Sequence, residues 1–264
     1  SLRGLIGLKM KVEVLNEGVH SGGASGHVPS SFRVARALLS KLEDQNTGEV
    51  LLDKLKTDIP DYRIKETETL VSILDDEVVQ EFPWKDKMKP STDNKVEGVL
   101  RRTWKPALSI VGSDGLPPTA NAGNVLRPYT TLQLSMRIPP MVDAKAATKE
   151  IEKVLKNNVP YDATIDLDFE EAADGWNAPE TSPWLLEAID KASNNYFKEP
   201  PCSIGEGGTI PFMAMLGEQF PNAQFVITGV LGPKSNAHGP NEFLHIPFAK
   251  KLTCCISSIL SDYK

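Results

Sequence analysis

Leu8-Lys9-Met10-Lys11-Val12-Glu13-Val14 alternates apolar and charged side chains over its whole length. A period of two sends successive side chains to opposite faces of an extended backbone, so this stretch reads as a half-buried strand. The same rhythm returns twice. Leu132, Leu134, Met136 and Ile138 share one face of a segment ending Ser135-Met136-Arg137-Ile138-Pro139, and Ala163, Ile165, Leu167 and Phe169 alternate in another. A shorter apolar run, Ala107-Leu108-Ser109-Ile110-Val111, supplies a fourth strand. Two helical patterns interleave with these strands. Ser30 or Ser31 caps the first, whose apolar face is Val34, Ala35, Leu38, Leu39 and Leu42. Asp143 caps the second, with Ile151, Val154 and Leu155 as its buried stripe. Residues 45–104 carry many charges and mixed helical patches such as Leu70 to Phe82, and are expected to form a largely helical insertion. The resulting order, β-α-(insertion)-β-β-α-β, is the split βαβ or ferredoxin-like arrangement: an antiparallel sheet with two helices on one face.

The composition changes at Asp174-Gly175-Trp176-Asn177-Ala178-Pro179, which reads as a boundary. Beyond it, Ser182 and Pro183 start a helix, cap then proline, with Trp184, Leu185, Ala188, Ile189 and Ala192 on its apolar side. A glycine-rich turn, Gly205 to Gly208, leads to a short helix. A strand is expected at Phe225-Val226-Ile227, then a loop to Glu242 and a terminal helix from about Ile246. One strand is too little for an independent sheet with two covered faces, so residues 174–264 are expected to be half of an α/β domain.

Bulk properties narrow the function. The net charge of −6 over 264 residues leaves no basic footprint for nucleic acid. No apolar run approaches the roughly 20 residues of a membrane helix, and nothing resembles a signal peptide. Cys202, Cys254 and Cys255 are an odd number without a CxxC pair, which points to a reducing, cytoplasmic setting.

Four segments carry residue types suited to chemistry. Gly18-Val19-His20-Ser21-Gly22-Gly23 places a histidine at a strand end beside glycines that let a ligand approach the backbone. Gly123-Asn124-Val125-Leu126 leads into the strand that carries Arg137, which points opposite Met136 and can grip a carboxylate with both arms of its guanidinium. Gly205-Glu206-Gly207-Gly208-Thr209-Ile210-Pro211 exposes backbone N–H groups at a helix entry, with a hydroxyl beside them. Asn236-Ala237-His238-Gly239-Pro240-Asn241-Glu242 follows the expected strand at Phe225, where α/β sheets gather ligands. Taken singly, each segment reads equally as a turn, a helix entry or a surface group.

In combination and in this order, the four segments resemble the carnosinase and cytosolic nonspecific dipeptidase branch of the dinuclear zinc peptidases. Bacterial relatives of that branch include glutamate carboxypeptidase, succinyl-diaminopimelate desuccinylase and acetylornithine deacetylase. The resemblance implies residues 1–6 at the end of a preceding catalytic segment, a lid or dimerisation domain over 7–173 containing the 45–104 insertion, and the C-terminal part of the catalytic domain over 174–264. It implies hydrolysis of dipeptides or short peptides by two divalent metal ions, zinc or manganese, in a homodimer joined through the lid. His20 would reach into the partner subunit's active site and polarise the scissile carbonyl. Asn124 and Arg137 would hold the substrate backbone and its terminal carboxylate, Gly207, Gly208 and Thr209 would line the carboxylate pocket, and His238 would be a metal ligand.

The family pattern also has an His-x-Asp pair, a bridging aspartate and a Glu-Glu pair ahead of the lid. No histidine here is followed two positions later by aspartate, and Glu170-Glu171 follows the last lid strand and reads as solvated charge. The expectation is a C-terminal part of such a peptidase, with most metal ligands and the general base outside these residues. N-acyl amino-acid deacylation on the same scaffold, or a noncatalytic dimerisation and ligand-binding module, are the competing readings. His27, His245, Trp104, Trp176 and Trp184 are expected to be structural.

Overall fold

A computed structural model describes residues 1–230, 235–237 and 239–263. In chain order its elements are β1 (Gly4–Glu13), β2 (Val19–His20), α1 (Ser21–Ala24), α2 (Ser31–Leu39), α3 (Asp61–Leu74), α4 (Glu77–Gln80), α5 (Lys95–Thr103), β3 (Ala107–Asp114), β4 (Val125–Leu126), β5 (Tyr129–Ile138), α6 (Ala144–Lys156), β6 (Thr164–Phe169), α7 (Pro183–Tyr196), α8 (Pro211–Gln219) and α9 (Ile246–Asp262). Among the described residues no helix is long and apolar enough to cross a membrane.

Four strands form one antiparallel sheet in the order β3-β5-β1-β6. β5 is inserted between β1 and β3, and β1 between β5 and β6, which is the split βαβ topology. The register explains why the alternating runs matter. Leu134, Leu8 and Phe169 lie in one row across three strands, and Leu132, Met10 and Leu167 in the next. That apolar face is covered by Val34, Ala35 and Leu38 of α2 and by Ala147, Ile151 and Leu155 of α6, in one continuous core. Each fully buried Leu or Ile contributes about 1.5–3 kcal/mol, so this layer dominates the stability of the unit. The opposite face carries exposed ion pairs, Lys9 with Asp168 at 2.8 Å and Lys11 with Glu13 at 2.8 Å, which add little.

Asp143 accepts a hydrogen bond from the Ala146 N–H at 2.6 Å and caps α6 as its sequence predicts. The first cap differs. Ser30 occupies the N-cap position without a side-chain bond, while the Ser31 hydroxyl bonds the Thr130 hydroxyl at 2.9 Å and ties α2 to β5. The α2 pattern extends in sequence to Leu42, but the helix ends at Leu39; the Ser40 hydroxyl donates to the Arg36 carbonyl, and Leu42 stays buried in the following turn. Residues 45–104 contain α3, α4 and α5, separated by irregular stretches.

One expected element is absent. Phe225-Val226-Ile227 forms no strand among the described residues, and Val226 and Ile227 are exposed. A strand is a hydrogen-bonded pairing state rather than a local conformation, and among the described residues no strand pairs with this run.

The chain divides into two compact units. The larger comprises Ser1–Ile64, Lys89–Asn177 and Gly205–Met215, and holds the sheet. The smaller comprises Lys65–Met88, Ala178–Ile204 and Leu216–Lys264. In the smaller unit α7 packs on α9 through Leu185, Ala188, Ala192, Cys255 and Ile259, with Lys191 and Asp262 paired at 2.8 Å. His245 caps α9, its Nδ1 accepting from the Phe248 N–H.

Candidate functional site

His20 and Asn124 are brought together at one end of the sheet. Val19 and His20 pair with Leu126 and Val125 in the short β2–β4 ladder, and the Ser21 N–H donates to the Asn124 carbonyl at 2.8 Å. Both residues are exposed. His20 Nδ1 accepts the Gly22 N–H at 3.1 Å. A ring nitrogen that accepts carries no proton, so the neutral imidazole holds its hydrogen on Nε2, a free donor. A Cβ at position 22 would lie 3.0 Å from His20 Cε1, so a side chain there would press on the ring.

Arg137, Gly207, Gly208 and Thr209 meet at the other end. Arg137 is half-buried in β5, on the face opposite Met136, and its Nη1 donates to Thr209 Oγ1 at 3.0 Å. That hydroxyl donates onward to the Arg3 carbonyl at 2.7 Å. The loop from Gly205 to Thr209 is seated on the start of the chain, the Glu206 N–H bonding the Ser1 carbonyl at 2.8 Å.

Arg3 is the residue that sequence reasoning missed. Its side chain is 8% exposed and donates to the carbonyls of Gly207, Arg101 and Lys105, at 3.3, 3.3 and 3.2 Å. It thereby stitches the glycine loop to the end of α5. Burial, followed by the neighbouring Arg137 and Arg102 guanidiniums, lowers Arg3 from its ordinary value to about 10, against a smaller opposing pull from Glu206. Three arginines and one glutamate are a concentration of positive charge suited to an anion such as a carboxylate. The signal was a single arginine inside the otherwise apolar and glycine run Leu2-Arg3-Gly4-Leu5-Ile6.

The two groups are far apart within one chain. Arg137 pairs with Leu5 near one end of β1, and Tyr129, which pairs with Glu13, lies eight residues earlier in β5. At about 3.4 Å per residue that separation is about 27 Å, and Asn124 and His20 lie at the Tyr129 end. An extended dipeptide spans about 7 Å. A single chain therefore cannot apply His20 and Arg137 to the same small peptide. Asn124 stands with His20, not with Arg137.

His238, the expected metal ligand, lies outside the described residues. Among the described residues no three His, Cys, Asp or Glu side chains come together as a metal site. These residues do not by themselves fit a dinuclear centre.

Residues 1–163 match the family described as peptidase dimerisation domain. Over 94% of the chain, a cysteinylglycine-S-conjugate dipeptidase from Corynebacterium striatum is 23% identical, and the match covers 54% of that protein. Among solved structures, a dipeptidase from Saccharomyces cerevisiae superposes with a TM-score of 0.73 at 21% identity, over 99% of this chain and 55% of its own. Human carnosine dipeptidase 1 gives 0.70 at 19% identity, over 99% and 55%. An M20 family metallo-carboxypeptidase from Sulfolobus solfataricus gives 0.73 at 17% identity, over 98% and 58%. These likenesses are of fold, and the chain spans about half the length of the proteins it matches.

Proposed function

The chain belongs to the peptidase dimerisation domain family, and from that premise we propose that its parent protein hydrolyses dipeptides or short peptides that carry a free C-terminal carboxylate. The observation that carries this reading is the meeting of Arg137 with the Thr209 hydroxyl on the Gly207–Gly208 loop, backed by the buried cation of Arg3. The Arg137 guanidinium, held by Thr209 Oγ1 whose own proton goes to the Arg3 carbonyl, has further N–H donors to offer a carboxylate beside the loop glycines. The dipeptidase names borne by the relatives agree with it.

In this reading the active site is shared between two copies of the chain. One subunit supplies Arg137, Gly207, Gly208 and Thr209 to hold the carboxylate. The other supplies His20, whose Nε2–H donates to the carbonyl oxygen as it gains negative charge, with Asn124 beside it on the substrate backbone. The distance of about 27 Å along β5 supports this division. β3 supports the dimer itself, as an open edge strand with Ile110 and Val111 exposed, a surface that invites pairing. In the parent protein two divalent metal ions, zinc or manganese, would supply an activated water, with His238 as one ligand among others from the rest of the protein. The cytoplasm is the setting this reading adopts, on three cysteines free of disulfides.

The test is a substrate panel on the parent protein: free dipeptides, the same dipeptides amidated at the C-terminus, and N-acyl amino acids. Turnover of free dipeptides with loss on amidation is expected. Turnover confined to N-acyl amino acids would replace the peptidase reading with a deacylase.

A further inference from the structure

A cavity of about 390 Å³ lies in the larger unit, between residues 47–59 and the end of α5, separate from both groups described above. Part of its lining is apolar: Val50 and Trp104, 1% and 2% exposed, together with Ile59 and Pro106. The rest carries three cations, Lys56, Arg101 and Lys105, and two carboxylates, Glu49 and Glu97. Lys56 pairs with Glu49 at 3.1 Å and with Asp53, just outside the lining, at 3.7 Å. Glu97 serves two cations at once, accepting from Arg101 Nε at 2.8 Å and from Lys105 Nζ on both oxygens at 2.8 Å. Burial opposes its charge, but the bonds from Arg101 and Lys105 outweigh it and hold Glu97 below its ordinary value, so it is an anion.

At the α5 end of the cavity Arg101 and Lys105 share the single carboxylate of Glu97, so positive charge outnumbers negative by one at that end, while Lys56 at the other end is matched by Glu49 and Asp53. Helix C-terminal carbonyls would repel an incoming anion. Here the Arg101 and Lys105 carbonyls are already engaged by the Arg3 guanidinium. We propose that the cavity binds a small amphipathic monocarboxylate, its apolar body against Trp104 and Val50 and its carboxylate against Lys105 and Arg101. The volume is in the range of small-ligand sites, and such sites pair apolar lining with few polar groups. Release of water from the apolar lining supplies affinity, and the spare cation selects for one negative charge. A neutral analogue forgoes the ion pair, and a cation meets repulsion.

The test is a titration of this chain with hydrocinnamate and with its neutral counterpart, hydrocinnamyl alcohol, followed by amide and indole NMR. The Trp104 indole and the Gly48 and Thr57 amides report the cavity; the Gly207 and Thr209 amides report the carboxylate group at Arg137. Hydrocinnamate is expected to move the cavity signals, with the alcohol at least about tenfold weaker. Lys105→Gln weakens binding about fivefold or more, and Glu97→Gln, which removes a competing carboxylate, tightens it. Equal affinity for acid and alcohol, or shifts centred on Gly207 and Thr209, would overturn the proposal. So would weakening by both substitutions, which is what damage to α5 packing produces. The readout is binding to this chain, so it stands or falls independently of peptidase activity.

Discussion

The Arg137 guanidinium donates to the Thr209 hydroxyl at 3.0 Å, across 72 positions of sequence, and so joins the end of strand β5 to the glycine loop. The hydroxyl is also anchored, donating to the Arg3 carbonyl. Thr209→Val keeps the shape and deletes both bonds, leaving polar partners unsatisfied. It is expected to weaken carboxylate binding by about 1–2 kcal/mol, roughly tenfold, while Thr209→Ser stays within about threefold. Dissociation constants of a free dipeptide on the parent protein check this; equal losses for both variants would mean that the methyl group, not the hydroxyl, matters.

Much of the larger unit was legible because the three alternating runs each match one face of one sheet. Met10 falls between Leu132 and Leu167 as the patterns require, and the split βαβ order follows from those runs and the two capped helices. Arg3 was not legible: its importance comes from three carbonyls about a hundred and two hundred residues away, which no local pattern encodes. The expected strand at Phe225 failed for the complementary reason. An apolar run has strand propensity, but pairing requires a neighbour that these residues do not supply. The glycine and histidine motifs named the residues, but which of them lie together, His20 with Asn124 and Arg137 with Thr209, appears only once the sheet register is known.

If the Arg137 site holds a carboxylate as proposed, Arg3 should give that binding a pH signature. The group is cationic below about 10 and neutral above it, and the fold disfavours the cation. By linkage, its destabilising charge is present below that pH and is relieved as pH rises through it. A bound anion does the opposite, favouring the cation. Affinity for a dipeptide should therefore hold steady to about pH 9 and fall beyond about pH 10, and calorimetry on Arg3→Met should show a smaller fall. An identical fall in both proteins would assign the step to other groups.

The two glycines of the loop should behave differently. A Cβ on Gly207 would lie 2.7 Å from the Arg102 carbonyl oxygen, a backbone atom that cannot turn aside, whereas one on Gly208 meets nothing closer than 4.0 Å. Gly207→Ala is expected to cost about 1–3 kcal/mol in denaturant unfolding, and Gly208→Ala less than about 0.5 kcal/mol. Equal costs would show that the loop is not seated against α5 as described.

Gly22→Ala should disturb His20 without touching the core. The added methyl would crowd the ring at 3.0 Å and weaken the bond from the Gly22 N–H to Nδ1. Nitrogen NMR of the imidazole is expected to report the Nε2–H tautomer in the unaltered chain and a mixture in the variant. A predominant Nδ1–H form in the unaltered chain would remove the donor assigned to the oxyanion.

The most direct test of the shared active site is subunit complementation in the parent protein. His20→Ala and Arg137→Ala variants, each inactive alone, are mixed, dissociated and allowed to reassociate. In a mixed dimer one site receives both intact residues and the other receives neither, and half of the random dimers are mixed. Recovery of about a quarter of the unaltered activity is the predicted result. No recovery, with mixed dimers shown to have formed, would contradict the account and place His20 and Arg137 in separate functions.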